Sequence, residues 1–182
     1  MIDAAILRAI APRGKPGIIA AVAPHLTPAM EKGGIVTPLR AAHFLAQAAH
    51  ECDGFKTLEE YASGRAYEGR RDLGNVRRGD GVRYKGRGIF QLTGRANYRR
   101  IGEALGLPLE ATPELAEDPR NSVLIAVHYW VTRKFRGVSL NSWADEDGIE
   151  PITRAINGGL NGLDRRRAYL VRAKRALNVK RG

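Results

Sequence analysis

Apolar residues recur at helical spacing over most of this chain and lose all period over one long central stretch. From Pro38 to about His50 the run PLRAAHFLAQAAH is apolar on most faces. Thr37-Pro38 ahead of it supplies an N-cap and a first-turn proline, so a core helix is predicted there. RNSVLIAVHYWVTRKF (120–135), capped by Asp118-Pro119, predicts the central buried helix, with Trp130 in the core. NYRRIGEALG (97–106) closes on a glycine, and IEPITRAINGG (149–159) ends at Gly158-Gly159. LDRRRAYLVRAKRALNV (163–179) carries an apolar stripe of Leu163, Leu170, Ala173 and Leu177 among basic residues. Residues 1–37, punctuated by Pro12, Gly14, Pro16 and Gly33-Gly34, predict one or two short helices. GIIAAVAPHL (17–26), short and broken by Pro24 and His25, is expected to pack as one of them rather than serve as a secretion signal.

Between Gly64 and Gly94 the sequence GRAYEGRRDLGNVRRGDGVRYKGRGIFQLTG is rich in glycine and charge. A loop of this length inside a compact domain is usually functional. Short strands are predicted around Tyr84 and from Ile89 to Leu92. The expectation is a mainly α protein, one domain over 1–182 with no separate wall-binding domain, whose glycine-rich lobe of loops and short strands carries the chemistry.

Composition adds a constraint on partners. The chain has 43% hydrophobic and 27% charged residues, ordinary for a globular protein, but 30 Lys+Arg against 19 Asp+Glu leave a net charge of +11. That excess favours an anionic partner without choosing among nucleic acid, anionic lipid and an acidic wall polymer. The single cysteine, Cys52, excludes an internal disulfide and a cysteine-based metal site, and reads as a small apolar filler. No H-E-x-x-H occurs and GDGVRYKGRG lacks a G-K-[ST] ending, so neither a zinc site nor a phosphate loop is expected, and no cofactor.

The acids are more informative. Glu51 closes the first core helix, on a face with Phe44 and Ala48 and with Gln47 one turn back. An acid in apolar surroundings resists ionisation, so Glu51 is expected to keep its proton and to donate it to a leaving oxygen. Glu60, in LEEYA, is expected to stay ionised in a more open setting. Two carboxylates in unlike environments are what glycoside hydrolysis requires. A solvated helix end followed by a surface glutamate pair would give the same spacing, however.

Three separated motifs narrow the choice. HFLAQAAHECDGFKTLEEYASGRAYEGR, GDGVRYKGRGIFQLTGRANY and AINGGLNGLDRR, in that order, resemble glycoside hydrolase family 19, and most closely its phage and prophage endolysin branch, related to plant chitinases. The resemblance runs from about Pro38 to the C-terminus. It implies a lysozyme-like two-lobed fold in which Glu51 is the general acid and Glu60 the base, with Glu59 and Glu68 as the other candidates. It further implies that Thr93 helps hold the attacking water. Gln91, Asn97 and Tyr98 would line the sugar cleft, and Asn157 and Arg165 would support the cleft and the carboxylates. The chain departs from the family's E-S-G-G-F at Cys52 and Asp53, and Asp53 adds a charge beside the acid.

Smaller expectations follow. His50 orients neighbours by hydrogen bonding and His43 is structural. Trp143 lies in a polar turn, where it could stack on a sugar. The basic segment 165–181 presents a solvated face, or one that attracts anionic membrane or wall. The function expected is an endolysin cutting β-1,4 bonds of peptidoglycan by inversion. The alternatives are a chitinase and a non-enzymatic polyanion-binding module. The resemblance implies a monomer made in a host cytoplasm without a signal peptide and acting at the wall.

Overall fold

The computed structural model describes residues 1–179 and is mainly helical. Two helices open the chain, α1 (Ala4–Ile10) and α2 (Pro16–Lys32). The second is longer than the prolines suggested, because Pro24 and Pro28 lie four residues apart on its exposed face. Surface helices bend convex toward solvent, where a missing N–H is tolerated best. The predicted core helix is α3 (Pro38–Glu51). Its N-cap, Thr37, accepts from the Arg40 N–H, and its residues from Ala41 to Ala49 are all buried.

After α3 the chain runs through the glycine-rich segment, where the only regular α element is the short α4 (Asp80–Arg83). The strands predicted there do not form. Tyr84 caps α4, and the Ile89–Leu92 region contributes only an isolated bridge from Leu92 to Arg87, which itself bridges to Glu59. A buried arginine holds the segment instead: the Arg87 guanidinium donates to Glu117 at 2.6 Å and to the Arg83 carbonyl at 2.7 Å.

The remaining helices are α5 (Arg95–Leu105), α6 (Pro119–Thr132), α7 (Leu140–Asp145), α8 (Ile149–Asn157) and α9 (Leu163–Ala176). The predicted 120–135 helix stops at Thr132. The chain then makes a two-residue hairpin of β1 (Lys134–Phe135) and β2 (Val138–Ser139), turning through Arg136 and Gly137 at positive φ. Trp143 belongs to α7 rather than to a polar turn, and its indole N–H is held by the Phe135 carbonyl at 3.2 Å.

Two hydrophobic clusters divide the fold. The larger gathers α1, α2, α3, α6 and α9 around Phe44 and Trp130, whose rings meet edge-on. The smaller packs Tyr84, Leu92, Tyr98, Ile101, Leu109, Ala116 and Ile125. The glycine-rich segment is pinned between them, since Phe90 enters the large cluster and Leu92 the small one. Gln91, between these anchors, is held at φ 50°, a left-handed conformation that costs a non-glycine residue energy.

Candidate active site

The end of α3 is fastened to α9 by one side chain. Arg166, 1% exposed, donates to Glu51 Oε1 at 2.6 Å through Nη2 and to Gln47 Oε1 through Nη1. Gln47, also buried, passes its amide N–H to the Thr153 hydroxyl on α8 at 3.3 Å. Glu51 therefore sits against a guanidinium, which corrects the expectation that a partly apolar helix face alone sets its surroundings. Arg165, the residue expected to support the carboxylates, points elsewhere and pairs with Asp53. Position 166 falls between Leu163 and Leu170 on the apolar stripe of α9, and an arginine on such a stripe was the signal that could have singled it out.

Asn157 acts on this arrangement at one remove. Its amide donates to the Asn161 carbonyl at 3.0 Å and accepts from the Gly159 N–H at 2.9 Å, shaping the turn before α9. The same Asn161 carbonyl accepts from Arg166 Nε at 3.3 Å. His50 packs its ring on Gly162 in that turn, closer than any Cβ there would allow. Its buried Nδ1 has no hydrogen-bond partner among the described residues, where an orienting hydrogen bond was expected. Burial, then the Arg166 and Arg165 charges, push its imidazole down to about 4. His43, by contrast, is wholly buried on α3 and reaches Asp147 at 2.7 Å, a structural contact.

Glu60 is held differently. Its Oε2 accepts from the Gly86 N–H at 3.0 Å and its Oε1 from the Tyr67 hydroxyl at 2.8 Å. Burial and that bond to Glu60 raise the Tyr67 phenol above its usual range. Gly86 fixes the neighbourhood. A methyl group placed on it would stand 2.8 Å from Gln91 Oε1, 3.1 Å from Glu60 Oε2 and 3.3 Å from Thr93 Oγ1. Three polar side chains thus converge on the space that glycine leaves empty, two of them on the short turn after Gly88. Thr93 donates its hydroxyl to the Gln91 carbonyl at 2.9 Å, and Asn97 holds the Thr93 carbonyl at 2.8 Å.

The other acids are occupied. Glu59 pairs with Lys85 at 2.7 Å, and Glu68 accepts from the Gly79 and Gly81 N–H groups at 2.6 and 2.9 Å. Tyr98, expected to line the cleft, is fully buried in the small cluster, where its hydroxyl donates to the Lys85 carbonyl at 2.8 Å. Cys52 is the expected filler, its thiol pushed up to about 12 by burial.

Tyr129 links the two acids' surroundings. Burial raises its phenol, Arg133 opposes this and the nearby Glu51 adds to it, while its ring meets Phe90 edge-on at 5.5 Å, next to Gln91. No group of histidines, cysteines and acids able to hold a metal occurs among the described residues. A groove of about 1220 Å³ lies along α4 and α5, lined by residues between Arg77 and Ala111, and holds none of the candidate residues except by way of their neighbours.

A large helical cluster, a smaller one, and a glycine-rich segment bearing acids between them form the architecture of a lysozyme-like glycoside hydrolase. The comparisons agree. The profile of the family described as Chitinase class I matches residues 36–163. A Haemophilus influenzae protein described as a glycosyl hydrolase family 19 domain-containing protein is 32% identical over 91% of this chain and 92% of its own length. Acidic endochitinase Q of Nicotiana tabacum is 32% identical over 65% of the chain, which spans about half (51%) of that enzyme. Chitinase C from Streptomyces griseus superposes over the whole chain and 78% of its own, with a TM-score of 0.78 and 25% identity. A bacterial family 19 chitinase gives 0.80 over the whole chain and 97% of its own at 24% identity, a likeness of fold. This chain belongs to glycoside hydrolase family 19.

Proposed function

We propose that the protein is an endolysin that hydrolyses β-1,4 bonds of peptidoglycan as an inverting muramidase for host cell lysis, with Glu51 as acid and Glu60 as base. The observation that supports this most is the convergence of Glu60, Thr93 and Gln91 on the space beside Gly86, with Glu51 held separately by Arg166. In the reaction Glu60, with the Thr93 hydroxyl, takes a proton from a water attacking the anomeric carbon. Glu51 protonates the departing glycosidic oxygen, so one C–O bond forms as the other breaks. Inversion of this kind needs carboxyl groups roughly 6.5–9.5 Å apart, leaving room for the water. As Glu51 gives up its proton it gains charge, and the Arg166 guanidinium, already aimed at Oε1, stabilises that charge as it forms.

The net charge of +11 favours an acidic polymer over uncharged chitin. The tobacco relative's name favours a second reading, a chitinase acting on N-acetylglucosamine polymers. Turnover of purified sacculi and of soluble chitin oligosaccharides, measured side by side, separates the two. Release of muropeptides with N-acetylmuramic acid at the reducing end supports the muramidase, and cleavage of chitin alone sinks it.

The cations of α9 bear on attraction to a surface. Arg165, Arg166, Arg167 and Lys174 pair with carboxylates, and Arg172 donates to the Ile10 carbonyl at 2.7 Å. Much of the predicted solvated basic face is therefore engaged within the fold. Lys180 and Arg181 lie outside the described residues.

A further inference from the structure

At the turn that follows α3 lies a second concavity of about 380 Å³, lined by Asp53 and Gly54, that the hydrolytic step does not use. Its floor is Tyr169, 6% exposed, and its rim carries Arg13, Lys56, Arg165 and Arg172 against one carboxylate, Asp53. Among the described residues four cations face one anion, which leaves uncompensated positive charge in a small recess, the reverse of what a structural ion-pair cluster needs.

The recess is built rather than incidental. Arg172 and Arg165 stand over the Tyr169 ring at 4.8 and 5.7 Å, and Arg165 also donates to the Tyr169 hydroxyl at 3.3 Å. Gly54, at φ +71°, lets the backbone pass that hydroxyl, since a Cβ would stand 2.8 Å from it. Asp53 accepts from Arg165 and, at 3.2 Å, from Lys56, and these bonds, the Arg165 one foremost, hold its carboxyl below the usual range. Arg13 is exposed and makes no side-chain hydrogen bond or ion pair among the described residues. Asp53 thus works as an organiser: it fixes Arg165 and Lys56 in place and leaves Arg13 free.

Its position ties the recess to the glycan. Asp53 follows Glu51 by two residues, and its Oδ2 also accepts from the hydroxyl of Tyr61 at 3.3 Å, the residue after Glu60. Arg165 precedes Arg166, so adjacent residues of α9 serve the recess and the acid. We propose that this recess binds a carboxylate carried by the substrate, the acidic substituent of a peptidoglycan sugar or of its stem peptide. The proposal rests on the peptidoglycan reading above and names the group through which the enzyme distinguishes that polymer from chitin. It gives Asp53, the departure from the family's usual small residue, a binding purpose.

The test is a calorimetric titration that needs no hydrolysis. N-acetylmuramic acid and N-acetylmuramyl-L-alanyl-D-isoglutamine, one acid on the sugar and one on the peptide, are titrated into the protein alongside their methyl esters. Binding of at least one acid but not its ester is expected, and the acid that binds names the source of the carboxylate. Reversal of two of the four charges, Arg13→Glu with Lys56→Glu, should weaken it about tenfold or more, and Arg13→Lys with Lys56→Arg should restore it. Acid and ester binding alike, binding of neither, or indifference to the reversal overturns the proposal. Sacculi left intact by a protein that still binds the acid in this charge-dependent way would count against the muramidase reading and not against the recess. Sacculi degraded with charge-independent binding would do the opposite.

Discussion

Arg166 and Glu51 lie 2.6 Å apart, one on the buried stripe of α9 and the other at the last turn of α3, and the same guanidinium reaches Gln47 one turn back. The pair both closes the helical lobe and aims the acid. Removing the guanidinium leaves the buried Gln47 Oε1 and the part-buried Glu51 Oε1 without their donor, which together costs about 3 kcal/mol. Arg166→Ala should therefore lower the Tm by roughly 6–12 °C, at 2–4 °C per kcal/mol for a chain of this size. Arg166→Lys keeps the charge without the two-pronged geometry, so it should recover much of the Tm and little of kcat. Differential scanning calorimetry with initial rates on sacculi checks both. Equal recovery of the two would reduce Arg166 to a structural role.

Gly86 offers a sharper probe of the proposed base, Glu60. A methyl group there meets the ends of Gln91, Glu60 and Thr93 rather than backbone, and the position does not need a positive φ. Gly86→Ala should fold with a Tm within a few degrees of the parent while kcat falls about 10²-fold, as expected when reacting groups shift by about 1 Å. A variant with undiminished kcat would show that these three groups do not act together.

Glu59 and Glu68 provide the controls. Glu59→Gln removes only a partly exposed pairing with Lys85 and should leave kcat within about twofold, surface pairs contributing little. Glu68→Gln loosens the turn at Gly79 and Gly81, so it should lower the Tm before it touches kcat. Substantial loss of kcat with unchanged Tm in Glu59→Gln would move the base by one residue.

Part of this arrangement could be read from the sequence, and the limits are instructive. The helices α3 and α6 were legible because each buries apolar residues behind a capped, proline-marked start, and α9 because of its apolar stripe. The hairpin of β1 and β2 was not, since two-residue strands carry no period, and α7 was hidden by its polar outer face. At the site, Glu51 and Glu60 were singled out by the motifs they stand in. The choice of Arg166 over Arg165 depends on how α9 is rotated against α3, and in LDRRR only the place of position 166 on the apolar stripe points to it. Tyr98 was misplaced for a related reason: α5 turns it into the small cluster, and only tertiary packing decides which face of that helix is inside.

Acid should weaken the fold in two stages. The folded His50 titrates at about 4, below its unfolded value near 6.5, so the native state binds fewer protons between those limits. Its contribution is complete above about pH 6.5 and is lost as pH falls toward about 4. His43 and His128, also pushed down by burial, add to the same trend. Glu110, drawn down to about 2 chiefly by Arg99, loses its contribution later, from about pH 4.5 downward. His50→Gln should flatten the fall in Tm between pH 6.5 and 4 and leave the steeper loss below it. A parent Tm that stays level from pH 7 to 4 would contradict this.

The assignment of Glu60 as the base is tested most directly by removing the carboxylate and supplying a small nucleophile. Glu60→Ala should lose about 10²–10⁴-fold in kcat while the Glu51-to-Arg166 end of the site stays intact. Added azide should restore cleavage and give a glycosyl azide of inverted, α configuration, identified by proton NMR. Turnover by Glu60→Ala close to that of the parent, or a β-azide product, would contradict the two-carboxylate inverting mechanism.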